Sequence, residues 1–336
     1  MQTVDFTLPY PAIVTGDWHI HSRLGQNRQN ELVELAAIIK NMQSKQAVPS
    51  LVICGDLLDR NAAIQVENIL NLADVFRTFE CVVLLMGNHD TPVRGTSLTQ
   101  LDVFSLIPQV HIVNTFSVGK CVYNENVNGR KIEDNVCYLP YYTPTEKVRE
   151  LCGKIVSADM FNAVFAHRDI FELNSYADKD FAQSMTDFPP TPFVFNGHLH
   201  CAAVHAVQLM SKDAPVDARY YQLGSPYPTS WSDDCDRNQW MWVYNGMSVT
   251  PTRSLCITVD ADKDYADTAK FRRTRETSEE SSAVPVDNIK SIMADIDETD
   301  ITLDRALYGL GISAPAKNII RSVVGRAAGG IEGVRL

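Results

Sequence analysis

An α/β architecture of two packed mixed β-sheets flanked by helices is what this sequence predicts, and three observations predict it. The N-terminal third alternates short apolar runs with helically spaced segments. The middle of the chain carries many short strand-like runs separated by turn signals. Asp, Asn and His residues gather immediately after the apolar runs.

In chain order, Ala12–Val14 is an apolar run that ends at Thr15-Gly16-Asp17. Asn30–Lys45 places Leu32, Leu35, Ala36, Ile39 and Met42 at helical spacing. Leu51–Cys54 ends at Gly55-Asp56, Ile64–Phe79 again reads as helix, and Cys81–Met86 ends at Gly87-Asn88. This β-α-β-α-β order implies a parallel sheet covered by helices. Ligands of such sheets bind beyond the carboxyl ends of the strands, where the first three polar clusters fall.

After Pro108 the pattern changes. Val110–Val113, Cys121–Tyr123 and Val136–Leu139 read as short strands, with turn signals such as Asn128-Gly129 between them. Thr145–Ile155 reads as helix. Phe161–Ala166 and Phe193–Phe195 are apolar strands that end at His167 and at Asn196-Gly197-His198. Arg219–Leu223, Trp240–Tyr244 and Leu255–Val259 complete a second set of strands. Residues 1–260 therefore form the main domain, 261–285 a charged, Ser/Thr-rich linker, and 286–336 a small helical C-terminal region.

The composition bounds the function. A chain of 336 residues with 45% hydrophobic and 21% charged content is an ordinary globular protein. No apolar stretch is long enough to span a bilayer, so no membrane role is expected. Its eight cysteines are scattered, without a Cys-x-x-Cys pair, and Cys54, Cys81 and Cys137 lie inside apolar runs. They read as buried, reduced thiols of a cytoplasmic protein. The net charge of −11 argues against a protein that coats nucleic acid, and it predicts weak DNA affinity for this chain alone.

Five separated segments carry the chemistry: Asp17-Trp18-His19, Gly55-Asp56-Leu57-Leu58-Asp59, Gly87-Asn88-His89-Asp90, His167, and Gly197-His198-Leu199-His200. Five of the eight histidines belong to this set, and all but one of the segments directly follow an apolar run. In extended backbone, residues i and i+2 point the same way. Asp17 with His19, or a pair drawn from His198 and His200, could thus grip one ion. Asp56 is placed to bridge two ions, Asn88 offers an amide oxygen, and His167 an imidazole. Each residue alone reads better as a turn cap; the set reads as a metal site. Mixed nitrogen and oxygen donors without thiolate suit Mn²⁺, Fe or Zn²⁺ rather than a structural zinc.

Taken together, the segments resemble the five-block signature of the calcineurin-like metallophosphoesterases, over about residues 11–260. The resemblance implies two divalent ions, Mn²⁺ foremost, with Mg²⁺, Fe and Zn²⁺ as alternatives. It implies Asp17, His19, Asp56 and His200 around the first ion and Asp56, Asn88, His167 and His198 around the second. His89 would be the catalytic histidine and Asp90 its orienting partner. A pair of ions about 3.5–4 Å apart activates water and clamps a phosphoryl group, and His89 would protonate the leaving oxygen or stabilise charge. Asp59 reads as supporting the site and Arg60 as a phosphate contact. His21 departs from the family, which commonly has a small residue there, and is expected to line the cleft. His111 and His205 match no motif and read as ordinary sheet or surface residues.

Three further segments resemble DNA nuclease subunits of the SbcD type and the small subunits of tailed-phage recombination endonucleases. They are Tyr220–Pro226 with its Gly224-Ser225-Pro226 turn, the stretch from Trp231 through Trp240-Met241-Trp242, and the linker with its C-terminal helices. This resemblance implies a nuclease, exonucleolytic on duplex DNA ends and endonucleolytic on single strands. It also implies an SbcC-type coiled-coil ATPase partner docked on the C-terminal helices, a homodimer, and Ser225 near the substrate. The chain between 205 and 260 leaves room only for a reduced cap. A small-molecule phosphatase or cyclic-nucleotide phosphodiesterase of the same superfamily is the alternative.

Overall fold

The computed structural model describes residues 2–20, 26–59, 66–91, 99–124, 130–174, 180–226 and 240–253. His21, Arg60, the expected strand at Leu255–Val259, the linker and the C-terminal helices lie outside them.

Two sheets form the body. One sheet has six strands: β2 (Ala12–Thr15), β3 (Ser50–Cys54), β4 (Cys81–Leu85), β5 (Val110–Val113), β12 (Trp240–Tyr244) and β13 (Val249–Arg253). Their spatial order is β13-β12-β2-β3-β4-β5, and β2 to β5 run parallel. The other sheet has seven strands: β1 (Gln2–Pro9), β6 (Ser117–Asn124), β7 (Lys131–Leu139), β8 (Ala163–His167), β9 (Phe193–Gly197), β10 (Ala203–Leu209) and β11 (Val216–Gln222). They lie in the order β1-β6-β7-β8-β9-β11-β10.

The apolar runs are continuous because both faces of the central strands are buried. In β3, Leu51 and Ile53 pack outward with helices α1 (Gln26–Gln46) and α2 (Val66–Phe76), while Val52 and Cys54 turn into the space between the sheets. The opposite sheet behaves alike: Phe165 faces inward, and Val164 and Ala166 face the layer that holds helix α3 (Thr145–Cys152). The result is four layers, helix on sheet on sheet on helix, as the sequence predicts.

Register matters because a slip of one residue would swap the faces. A rung of aromatic rings pins it across the inner face of the larger sheet. Tyr138, Phe165, Phe195 and Tyr221 occupy paired positions on β7, β8, β9 and β11. Neighbouring centroids are 5.8, 5.5 and 5.2 Å apart, in near-stacked geometry. The rung lies two residues before His167 and Gly197, so it fixes where those strand ends deliver their side chains.

Three strands escape the sequence pattern. β1 alternates but carries mostly polar or exposed residues, β10 is an edge strand with Val204 half exposed, and β13 is a short edge strand containing Pro251. The described residues between 205 and 260 complete the two sheets. The remainder, where a cap would lie, is outside the described residues. His111 stacks on Phe6 at a sheet edge, with centroids 4.1 Å apart, and His205 sits on edge strand β10, so both are sheet residues as expected. Cys54, Cys81 and Cys137 are buried free thiols. Among the described residues no helix is long and apolar enough to cross a membrane.

Candidate metal centre

The carboxyl ends of β2, β3 and β4 meet those of β8 and β9. The closest link is His167 Nδ1, 2.7 Å from the Cys54 carbonyl. Glycine makes the approach possible at two places. Gly55 has φ +83°, and the His167 ring lies where its Cβ would be. At Gly87 the Asp56 carboxylate occupies that space.

The ligand loops are not extended. Asp17 (φ 54°), His19 (φ 43°), Asp56 (φ 50°) and His198 (φ 83°) all adopt left-handed backbone, at a cost of roughly 1–2 kcal/mol each. This corrects the expectation that alternation along a strand aims Asp17 and His19. Turn geometry aims them, locked by the N–H groups of Asp17, His19 and Ile20 donating to the carbonyls of Gly55, Asp56 and Leu57 at 3.1, 2.9 and 3.0 Å. Asp17 in turn accepts the His198 N–H with both oxygens, at 2.9 and 3.0 Å, which joins the two sheets at the site.

Seven expected ligands come together. Donor atoms of Asp17, His19 and His200 lie within 4.8 Å of one another, as do those of Asp56, His167 and His198. His19 Nε2 is 3.0 Å from His200 Nε2. Asn88 Oδ1 is 3.1 Å from His167 Nε2 and 3.0 Å from His198 Nδ1. Asp56 Oδ2 stands between the groups, 3.7 Å from His19 Nε2 and 3.3 Å from His167 Nε2. His198 and His200 therefore serve different groups, and the reading that the pair grips one ion is replaced by a division between them.

The electrostatics fit a cation. Burial opposes charge on Asp56, yet His167, His19 and His89 outweigh it and hold the carboxyl well below its ordinary range. Burial likewise opposes protonation of His167, but Asp56 and Asp17 prevail and raise it to about 9. The fixed carboxylates demand positive charge, and two divalent ions would supply it with the nitrogens deprotonated. The donor set, oxygens and imidazole nitrogens without thiolate, suits such ions.

His89 corrects a second expectation. The carboxylate on its Nδ1 is Asp59, at 3.0 Å, not Asp90. Asp90 is fully buried and accepts the backbone N–H groups of Asp56, Gly87 and Leu58, each at 2.9 Å. Both its oxygens are committed to shaping the two loops. Burial, with the nearby Asp56 charge, raises Asp90 to about 7, against the pull of those N–H donors. Ser225 is also structural: it is buried, its Oγ donates to the Asp17 carbonyl at 2.7 Å, and its N–H donates to the His200 carbonyl at 3.2 Å.

Sequence reasoning missed the braces behind the histidines. Asn196 Oδ1 accepts the Arg168 N–H at 2.8 Å, and its Nδ2 donates to the Arg168 carbonyl at 2.9 Å and to Tyr220 Oη at 2.8 Å. Asp169 Oδ1 lies 3.6 Å from His198 Nε2, a carboxylate standing behind a ligand imidazole. Adjacency was the available signal, since Arg168, Asp169 and Asn196 flank the ligand histidines in sequence.

A family model described as calcineurin-like phosphoesterase matches residues 10–202. The chain belongs to that family. It is a metal-dependent hydrolase with a dinuclear centre. No curated protein matches this phosphoesterase. Among solved structures it is similar to the nuclease MPE of Pseudomonas putida, at 12% identity and a TM-score of 0.32, covering 72% of this chain and 87% of that one. It is also similar to GAP50, the anchor in the inner membrane complex of Plasmodium, at 10% identity and a TM-score of 0.37, covering 77% of this chain and 93% of that one.

Proposed function

We propose that this phosphoesterase is a DNA nuclease, exonucleolytic on duplex ends and endonucleolytic on single strands, with Mn²⁺ as its working ion. The observation that carries the reading is the segment Tyr220–Pro226, with Ser225 in its turn. The segment resembles that of SbcD-type nucleases, and Ser225 ties the Asp17 and His200 loops together at the metal centre. Asp17, His19, Asp56 and His200 would hold one ion, and Asp56, Asn88, His167 and His198 the other. The ions supply Lewis acidity and activated water.

The protein's own part falls to His89. Asp59 Oδ1, 3.0 Å from His89 Nδ1, is placed to accept its proton, which leaves Nε2 for exchange with the substrate. Held this way, the imidazole would stabilise developing charge or protonate the departing oxygen. The acidic chain would draw DNA affinity from its partners: an SbcC-type coiled-coil ATPase on residues 286–336, and a second copy of itself. Exposed Val66 and Leu70 on α2, and Leu106 in the short helix Gln100–Leu106, support the pairing of copies.

The test is cleavage of end-labelled duplex and single-stranded DNA in Mn²⁺ by the wild type and by His89→Ala. Cleavage by the wild type alone supports the reading. Hydrolysis of a simple aryl phosphodiester without cleavage of either DNA would select a small-molecule phosphodiesterase instead.

A further inference from the structure

An aromatic wall stands beside the second ligand group, and metal binding does not require it. Tyr141 is buried, with its ring centroid 5.2 Å from that of His198 and 6.0 Å from that of His167. Its N–H donates to the Met86 carbonyl at 3.1 Å, two residues before Asn88. One ring further from the histidines lie Tyr142 and Phe181, both half-buried, 5.1 and 5.7 Å from Tyr141. They meet edge to face, with centroids 5.0 Å apart.

The wall is braced from within by Arg168, the residue after His167. Arg168 is fully buried, and its guanidinium donates to the Tyr141 and Thr143 carbonyls, at 2.5 and 2.6 Å, to Thr145 Oγ1 at 3.1 Å and to Gln183 Oε1 at 2.9 Å. Thr145 Oγ1 in turn donates to the Ala182 carbonyl at 3.0 Å. Both limbs, Tyr141–Tyr142 and Phe181–Gln183, thus share one bracing side chain. Burying a guanidinium is costly unless every N–H is used, and here it holds two aromatic loops against a ligand histidine.

We propose that Tyr142 and Phe181 form a stacking subsite for a nucleobase adjoining the scissile phosphodiester, held in place by Arg168. The inference rests on the phosphodiesterase reading and adds where the base beside the scissile bond is held. The pair stands one ring beyond Tyr141, which itself packs against His198, so it lies within reach of a nucleotide whose phosphate is at the metal centre. Stacking also suits a chain of net charge −11, because every base offers a π-face and the contact needs no positive charge.

The test compares two esters with one leaving group, thymidine 5′-(4-nitrophenyl phosphate) and methyl 4-nitrophenyl phosphate. The full chain is assayed in Mn²⁺ as wild type, Tyr142→Ala, Phe181→Ala and Phe181→Leu. The wild type is expected to favour the thymidine ester, and each variant to lower that kcat/KM ratio by about tenfold, through KM. Phe181→Leu keeps the bulk and removes the ring, so it answers even where the alanine variant folds poorly. Equal losses on both esters would overturn the proposal and make the wall a support for the metal centre. No wild-type preference for the thymidine ester would overturn it as well. Hydrolysis of neither ester by the wild type is a separate failure, that of the phosphodiesterase reading, and it shows before any variant is compared.

Discussion

The two sheets contribute different halves of the metal centre and hold them by different means. The six-stranded sheet supplies the oxygens, from Asp17, Asp56 and Asn88, together with one imbedded imidazole, His19. Asp17, His19 and Asp56 are in left-handed backbone, and their loops are cross-braced by main-chain hydrogen bonds and by the Asp90 carboxylate. The seven-stranded sheet supplies His167, His198 and His200. Its strand ends are held by buried side chains, with Asn196 clasping the main chain of Arg168 and Asp169 behind His198. The two aspartates are thus placed by backbone conformation, whereas the opposite nitrogens, of which only His198 is in left-handed backbone, lean on a polar network inside the core. The first half is vulnerable to changes in loop geometry, the second to any buried polar group left without its partner.

The residue shared by both halves shows the largest effect. Asp56→Asn removes the charge that faces His19 and His167 at once. Hydrolysis in saturating Mn²⁺ is expected to fall on the order of 10³-fold, measured as kcat, with weaker binding of both ions. A variant that loses one ion and keeps the other with full affinity would break the shared role.

Next come the two braces. Asn196→Ala strips partners from the buried Arg168 N–H and carbonyl, costing about 1–3 kcal/mol of stability. Metal affinity at the His167 and His198 group is expected to weaken about 10–100-fold, with the other site less affected. Asp90→Asn replaces an acceptor of three N–H groups by an amide with one oxygen, and should weaken the oxygen half instead. Site-resolved metal titration of the two variants compares them directly, and identical profiles would dissolve the distinction.

Smaller, and confined to the chemical step, is Asp59→Asn. It unsettles the His89 tautomer, so kcat is expected to drop on the order of 10²-fold while ion binding holds. A drop in kcat with Asp90→Asn and none with Asp59→Asn would return the orienting role to Asp90.

The smallest effect lies away from the centre. Burial lowers the pKa of His111, partly offset by Asp5, so the folded state disfavours its charged form. Stability is then complete above pH 6.5 and declines as the pH falls through 6.5 towards the lowered folded value. His111→Phe should gain thermal midpoint on the wild type between pH 8 and pH 5. An unchanged difference would show that His111 is not titrating against burial.

Much of this was legible in the sequence because the ligand motifs are contiguous and each follows an apolar run that both core faces bury. Val110–Val113 and Trp240–Tyr244 match their strands. β1 and β10 were not legible, since edge strands with one exposed face lack a continuous apolar run. The Asp59 pairing was hidden because it joins loops 30 residues apart, and sequence order favoured Asp90, the neighbour of His89. The left-handed ligand residues were hidden for a related reason. Tertiary hydrogen bonds sustain them in a backbone region that residues other than glycine seldom adopt.

The most direct test of the account is metal stoichiometry joined to hydrolysis. The chelated protein would be reloaded with Mn²⁺, its bound metal counted by mass spectrometry, and hydrolysis of methyl 4-nitrophenyl phosphate followed at each loading. Two ions per chain are expected, with activity that appears only as the second site fills. A single ion at saturation, or full activity after chelation, would contradict a dinuclear centre built across the two sheets.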